Sequence, residues 1–196
     1  MLFTITGIDG SGKSTQIYLL KKFLEIKGYS VSVSKAYGNA EKEGLAHFFQ
    51  YWDDLTITFI FQGLHRQQYV ETKKRLNEGR IVLADRWDET YLAYHTKFGF
   101  LSENHETMYR LNKLAFEGLV PDITFFIDTP IEEARRRLEA RGMDFFDKKS
   151  AAHHLKMRDS IIEVLKERNS IFITGDKDIN EIHLIIAEKV IEYLKK

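Results

Sequence analysis

The sequence predicts an α/β fold built on a parallel sheet, and three observations predict it. Short β-branched or aromatic runs recur five times in the 196 residues, longer helical patterns separate them, and a glycine-rich loop follows the first run. Strands that alternate with helices pair in parallel through crossover connections. Only two prolines, Pro121 and Pro130, and scattered glycines interrupt the chain, with no linker, low-complexity stretch or internal repeat, so residues 1–196 are expected to form one domain.

The elements follow in chain order. The strands are expected at Leu2 to Thr6, Val31 to Ser34, Ile81 to Ala84, Asp122 to Ile127 and Ile171 to Thr174. Between the first two, Ser14 to Lys27 places Ile17, Leu20 and Leu24 at helical spacing, and Gly28 supplies a C-terminal stop. Leu55 to Asn77 reads as a long helix, with Ile57, Ile60, Phe61 and Leu64 in its apolar half and a polar half ending before Gly79. From Lys148 to Glu167 the pattern is helical but highly charged. Its apolar stripe is reduced to Leu155, Ile161, Ile162 and Leu165, which predicts a helix at an edge. Ile179 to Leu194 repeats Ile182, Ile185, Ile186, Val190 and Ile191, enough to dock the last helix on the sheet.

Composition narrows the chemistry. Twenty-nine Lys and Arg balance 29 Asp and Glu, 43% of residues are hydrophobic, and there is no cysteine. Thiol nucleophiles, thiolate zinc sites and iron-sulfur clusters are therefore excluded. Neutral charge argues against a general nucleic-acid coat, whose affinity comes from accumulated cations, but it leaves a local anion site open. No apolar stretch approaches the roughly 20 residues that span a bilayer, and Met1 leads straight into a strand-like run without a basic leader. The expectation is a cytoplasmic protein with no membrane partner.

Gly7-Ile8-Asp9-Gly10-Ser11-Gly12-Lys13-Ser14 fits the G-x-x-x-x-G-K-[ST] pattern at every fixed position, after a strand and before a helix. Glycines let the backbone curl so that successive N–H groups point at phosphate oxygens, and the helix N-terminus adds partial positive charge. The expected ATP contacts are Gly7, Ile8, Asp9, Gly10, Ser11, Gly12, Lys13, Ser14 and Thr15, with Lys13 on the β and γ phosphates and the Ser14 hydroxyl on Mg²⁺. The GTPase branch is disfavoured, because Asn112-Lys113 continues as Leu114-Ala115 and no later Asp has Gly three residues on. At the end of the third strand, Asp85 and Arg86 emerge together where open α/β sheets bind ligands. Asp85 suits an Mg²⁺-bound water or a phosphate-binding partner, and Arg86 offers a planar fork to a phosphate dianion.

These segments resemble the thymidylate kinase family. The resemblance rests on Ile5 to Gln16, on Asp85-Arg86-Trp87 with Leu92-Ala93-Tyr94, and on Gly118 to Asp128, and it runs in order along nearly the whole chain. It implies a three-layer P-loop kinase fold, a five-stranded parallel sheet flanked by helices with a small arginine-bearing lid at about residues 135–150. It also implies ATP and Mg²⁺ as phosphoryl donor, a deoxynucleoside monophosphate as acceptor, and a homodimer. In the family's register Asp9 accepts from the acceptor's 3′-hydroxyl, Arg66 contacts the base, Arg86 grips the monophosphate, and Tyr94 crowds the sugar C2′.

Some family members carry an arginine directly after the P-loop Asp, others in the lid. Here Gly10 holds that position, so the lid must supply it. Arg137 and Arg141 lie four apart on one helical face beside the hinge-like Gly142 and are expected to be catalytic with Lys13 and Arg86. Arg135 and Arg136 read as a solvated face paired to Glu132, Glu133 and Glu139. The chain also departs from the family. Thr6 stands where Glu is usual before the P-loop, Ser34 to Asn39 replaces an Arg-Glu-Pro-Gly-Gly segment, and Phe145 replaces a common lid arginine. The stacking phenylalanine belongs four before the base-reading arginine, where Gln62 stands, with Phe61 adjacent as the aromatic candidate. A base preference broader than thymine, a nucleoside or small-molecule kinase on the same scaffold, and a non-catalytic nucleotide-binding regulator all remain open at this point.

Overall fold

The computed structural model describes residues 1–38, 44, 45, 47, 48, 51–98, 103–143 and 147–195. Asn39 and Phe145, named above, lie outside the described residues. The strands form at β1 (Leu2–Thr6), β2 (Val31–Lys35), β3 (Ile81–Asp85), β4 (Ile123–Asp128) and β5 (Ser170–Thr174). They pair in parallel in the order β2-β3-β1-β4-β5. The chain winds out to β2 and back to β3 on one side of β1, then crosses to β4 and β5 on the other. Such a reversal leaves a crevice at the carboxyl ends of the central strands.

Seven helices flank the sheet among the described residues: α1 (Lys13–Ile26), α2 (Asp54–Asn77), α3 (Asp88–Lys97), α4 (His105–Phe116), α5 (Ile131–Arg141), α6 (Ala151–Leu165) and α7 (Ile179–Leu194). Alternation along the strands divides the core between the two faces. Phe3, Ile5, Leu83, Phe125 and Ile127 pack against Ile17, Leu20 and Leu24 of α1 and Ile182, Ile186 and Val190 of α7. Leu2, Val82 and Ala84 face the other way, toward Tyr69 of α2, Trp87 and Phe116 of α4. Because helices cover both faces, β1 and β3 are buried along their whole length, and both carry apolar residues on each face.

Two helices differ from expectation. The charged helix is not at an edge: α6 starts at the Ser150 cap and buries Ile161 and Leu165 completely against Ala93 of α3 and Phe126 of β4. Its narrow apolar stripe suffices because α3 meets it along the same line. In α2 the apolar residues Ile57, Ile60, Phe61 and Leu64 are only half-buried, while Thr58, His65, Gln68, Tyr69 and Thr72 are buried. Its inner face is polar because it looks onto a polar crevice as well as the sheet. Thr72, for example, hydrogen-bonds Ser34 of β2 at 2.6 Å.

Candidate active site

The loop after β1 is closed by Ser11 N–H donating to the Ile8 carbonyl at 3.2 Å, and Gly12 begins α1 in a left-handed conformation without a side-chain cap. First-turn amides of such a helix are available to an anion. Gly10 has φ +82, and a Cβ there would collide with the carbonyl oxygen of Ala134 in α5. That close approach explains why no arginine follows Asp9. The backbone of α5 occupies the space, and the same helix brings Arg137 over the loop, with Nη1 3.9 Å from where a Gly12 Cβ would stand.

Lys13 is buried, donates to the Ile8 carbonyl at 2.8 Å and lies 3.7 Å from Asp9. Burial and the nearby Arg86 guanidinium lower its pKa to about 8, against the pull of Asp9 and Asp85. From the end of β3, Arg86 turns back to meet Asp9, its Nη2 2.9 Å from Oδ1. Burial works against the Arg86 charge, but Asp9 and Asp85 outweigh it and hold its pKa above the ordinary value. In-register pairing of β2 with β3 sets Lys35 beside Asp85, and their side chains form an ion pair at 3.4 Å. Lys13, Lys35 and Arg86 thus gather around the two carboxylates Asp9 and Asp85, an excess of one positive charge at the mouth of the crevice. Ser14 and Thr15 lie exposed in the first turn of α1.

The lid arginines separate. Glu133 accepts from Arg137 Nε at 2.7 Å and from Arg136 at 2.8 Å, which holds its carboxyl down to about 2, and Arg137 Nη2 donates to the Gly175 carbonyl at 3.2 Å. Arg137 therefore bridges the P-loop and the loop after β5. Arg136 points to solvent, as expected of a solvated face. Arg141 shares the helical face but is held by the buried Asp147 at 3.0 Å.

On the acceptor side, Phe61 meets the Tyr37 ring at 5.6 Å, and the Tyr37 hydroxyl is close enough to Arg86 to affect its charge. Tyr94 lies in an aromatic group with Phe98 and His153, at 5.3 and 6.3 Å between ring centres. Arg66 is not brought to Arg86. It is one position off the buried stripe of α2, and its Nη atoms donate to the Ala115 carbonyl and Glu117. The stripe runs instead through Thr58, His65 and Gln68, and Gln68 donates to the Arg86 carbonyl at 3.0 Å. Sequence reasoning passed over Gln68 and Tyr37, and a helical repeat drawn back from the Asp85-Arg86 loop is the signal that finds Gln68. It also passed over Asp88, which Arg168 holds by two bonds of 2.6 and 2.7 Å and Asn112 by one of 3.0 Å. No sequence pattern announces that pairing, because its partners are 80 residues apart.

The family model described as thymidylate kinase matches residues 5–186. The chain belongs to the thymidylate kinase family. It is 31% identical to the thymidylate kinase of Thermoanaerobacter sp. strain X514 over 96% of both chains, and 32% identical to that of Thermosipho africanus over the full length of both. The crystal structure of thymidylate kinase from Ehrlichia chaffeensis superposes with a TM-score of 0.69 at 29% identity, covering 100% of this chain and 98% of that one. The five-stranded parallel sheet and its helical layers are thus those of the thymidylate kinase fold. Members of this family are ATP-dependent phosphotransferases. No helix among the described residues is long and apolar enough to cross a membrane.

Proposed function

We propose that the protein transfers the γ-phosphoryl group of ATP to dTMP, giving ADP and dTDP, in the cytoplasm. One observation carries the reading: the donor cradle around Lys13 and the acceptor clamp formed by Arg86 and Asp9 share one crevice, with Arg86 and Asp9 in contact at 2.9 Å. A monophosphate acceptor arrives ionised and needs no strong base. Catalysis is then positioning and charge neutralisation. In this scheme P-loop amides and Lys13 hold the donor phosphates, Arg86 holds the acceptor phosphate, Asp9 takes the sugar hydroxyl, and Arg137 supplies positive charge from the α5 side. Arg141, paired with Asp147, contributes less from the far end of the lid.

Mg²⁺ is a hard cation that takes oxygen ligands and keeps much of its water. The oxygen donors at this crevice, the Ser14 hydroxyl and the Asp85 carboxylate, suit it. Among the described residues there is no cluster of three acidic or histidine side chains to cage a metal. That fits an ion which ATP carries in and which, when bound, offsets charge on the β and γ phosphates.

The test is ADP formation with ATP, Mg²⁺ and a panel of dTMP, dUMP, dGMP, dCMP and dAMP. Turnover with dTMP is expected, and its absence overturns the reading. A second reading, a base preference wider than thymine, is favoured by the engagement of Arg66 with Glu117 and by Gln62 four residues before it. A preference for dTMP above about a hundredfold, near the most that one methyl group in an apolar pocket supplies, excludes it.

A further inference from the structure

Glu89 is completely buried and has no part in the scheme above. It is the second residue of α3, and both its carboxylate oxygens accept the same amide, Trp87 N–H, at 3.2 and 3.1 Å. Oε1 also accepts the Thr90 hydroxyl at 3.0 Å, and the Thr90 oxygen lies 3.4 Å from the hydroxyl of Thr6, immediately before the P-loop. Thr90 Oγ1 in turn receives a long 3.4 Å contact from Arg86 Nη1. Burial and the neighbouring Asp88 carboxylate push the Glu89 pKa up. Asp88 has Arg168 as a bidentate partner, whereas Glu89 is directed at the peptide that follows Arg86.

That peptide is where strain is held. Arg86 has φ +66, the left-handed region. A residue with a Cβ is disfavoured there and persists only where its surroundings over-determine it. Three backbone bonds do so: Arg86 N–H to the Ile5 carbonyl at 3.2 Å, Gln68 Nε2 to the Arg86 carbonyl at 3.0 Å, and Trp87 N–H to Glu89. The first two are made by neutral groups. Glu89 provides the third through both carboxyl oxygens at once, and a buried N–H left without its acceptor costs more than an ordinary hydrogen bond contributes.

We propose that Glu89 is a positioning residue for the acceptor phosphate, holding the Arg86–Trp87 peptide and the Thr90 hydroxyl so that the Arg86 guanidinium faces the P-loop. The assignment rests on the phosphotransfer reading above. Through Thr90 the acid reaches from α3 to the end of β1, and so ties the clamp to the cradle.

The test uses Glu89→Ala, Glu89→Gln and Thr90→Val beside wild type, with KM for dTMP and for ATP measured separately and a crystal structure of Glu89→Ala. Leaving the buried Trp87 N–H without its acceptor is expected to raise KM for dTMP roughly 10- to 100-fold in Glu89→Ala. KM for ATP should change less than about threefold. Glu89→Gln, which retains an acceptor for Trp87 N–H, recovers most of the loss, and Arg86 leaves the left-handed region in the alanine variant. Equal losses toward both substrates, or an unchanged KM for dTMP with Arg86 still left-handed, overturn the proposal. Should Glu89→Ala not fold, Thr90→Val deletes only the hydroxyl between Glu89 and Arg86; a selective rise in KM for dTMP supports the assignment and an unchanged one overturns it. Wild type inactive on dTMP counts against the function, and the Arg86 backbone in a variant crystal then still decides this proposal.

Discussion

Lys13 is held by burial and by Arg86 near pKa 8, against an ordinary 10.5. Between those values the unfolded chain binds the Lys13 proton and the folded chain does not, so this residue makes stability rise with pH across that window. ATP reverses the balance, since phosphate favours the charged ammonium. We predict that ATP binding takes up a proton above pH 8 and that its Kd weakens by up to about tenfold per pH unit there. Titration calorimetry in two buffers of different ionisation enthalpy measures both, and a Kd flat from pH 7 to 9.5 would refute the coupling. The place of Lys13 at the end of a glycine-rich loop was legible from its motif, whereas Lys35 carries no motif, and only the in-register pairing of β2 with β3 puts it on Asp85.

At the scale of elements, α5 decides which arginine serves the P-loop. Its backbone packs on Gly10, and Glu133 locks Arg137 over Gly12 while Asp147 draws Arg141 away. Arg137→Ala is therefore expected to lower kcat about 10³-fold, in line with other arginines that stabilise phosphoryl transfer, and Arg141→Ala distinctly less. Single-turnover rates with saturating ATP check the order, and equal losses overturn it. The four-residue spacing of this pair was readable, but the partner of each was not. A helical wheel places two guanidinium groups on one face, and acids on other elements then choose where each points. The same limit applies to α2, where Arg66 fits a sequence register and yet Gln68, two residues on, is the one that touches the Arg86 loop. Helix periodicity reports which side faces inward only when the inner side is apolar, and here it buries Thr58, His65 and Gln68.

For the whole molecule, a net charge of zero spread over the chain coexists with a crevice that gathers Lys13, Lys35, Arg86 and Arg137. Summed charge governs affinity for extended polyanions, whereas placement governs affinity for a small one. We also propose the homodimer that the family resemblance implies, supported by Phe59 and Val70 of α2 and Tyr109 and Leu114 of α4, which stand exposed on this chain. Sedimentation equilibrium at micromolar concentration is expected to return twice the chain mass, and a monomer at that concentration overturns it.

The sequence by itself determined the fold class, the five strands, the P-loop and the place of the Asp85-Arg86 pair at the end of β3. Each is written in local spacing: apolar runs bounded by turns, and glycines where the backbone must curl. Only the tertiary structure decided that α5 displaces a P-loop arginine, that Arg66 turns to Glu117, and that Glu89 and Gln68 hold Arg86 in a left-handed turn. Those outcomes depend on which buried polar groups meet across elements distant in sequence. A buried donor or acceptor takes the partner that packing sets within hydrogen-bond reach.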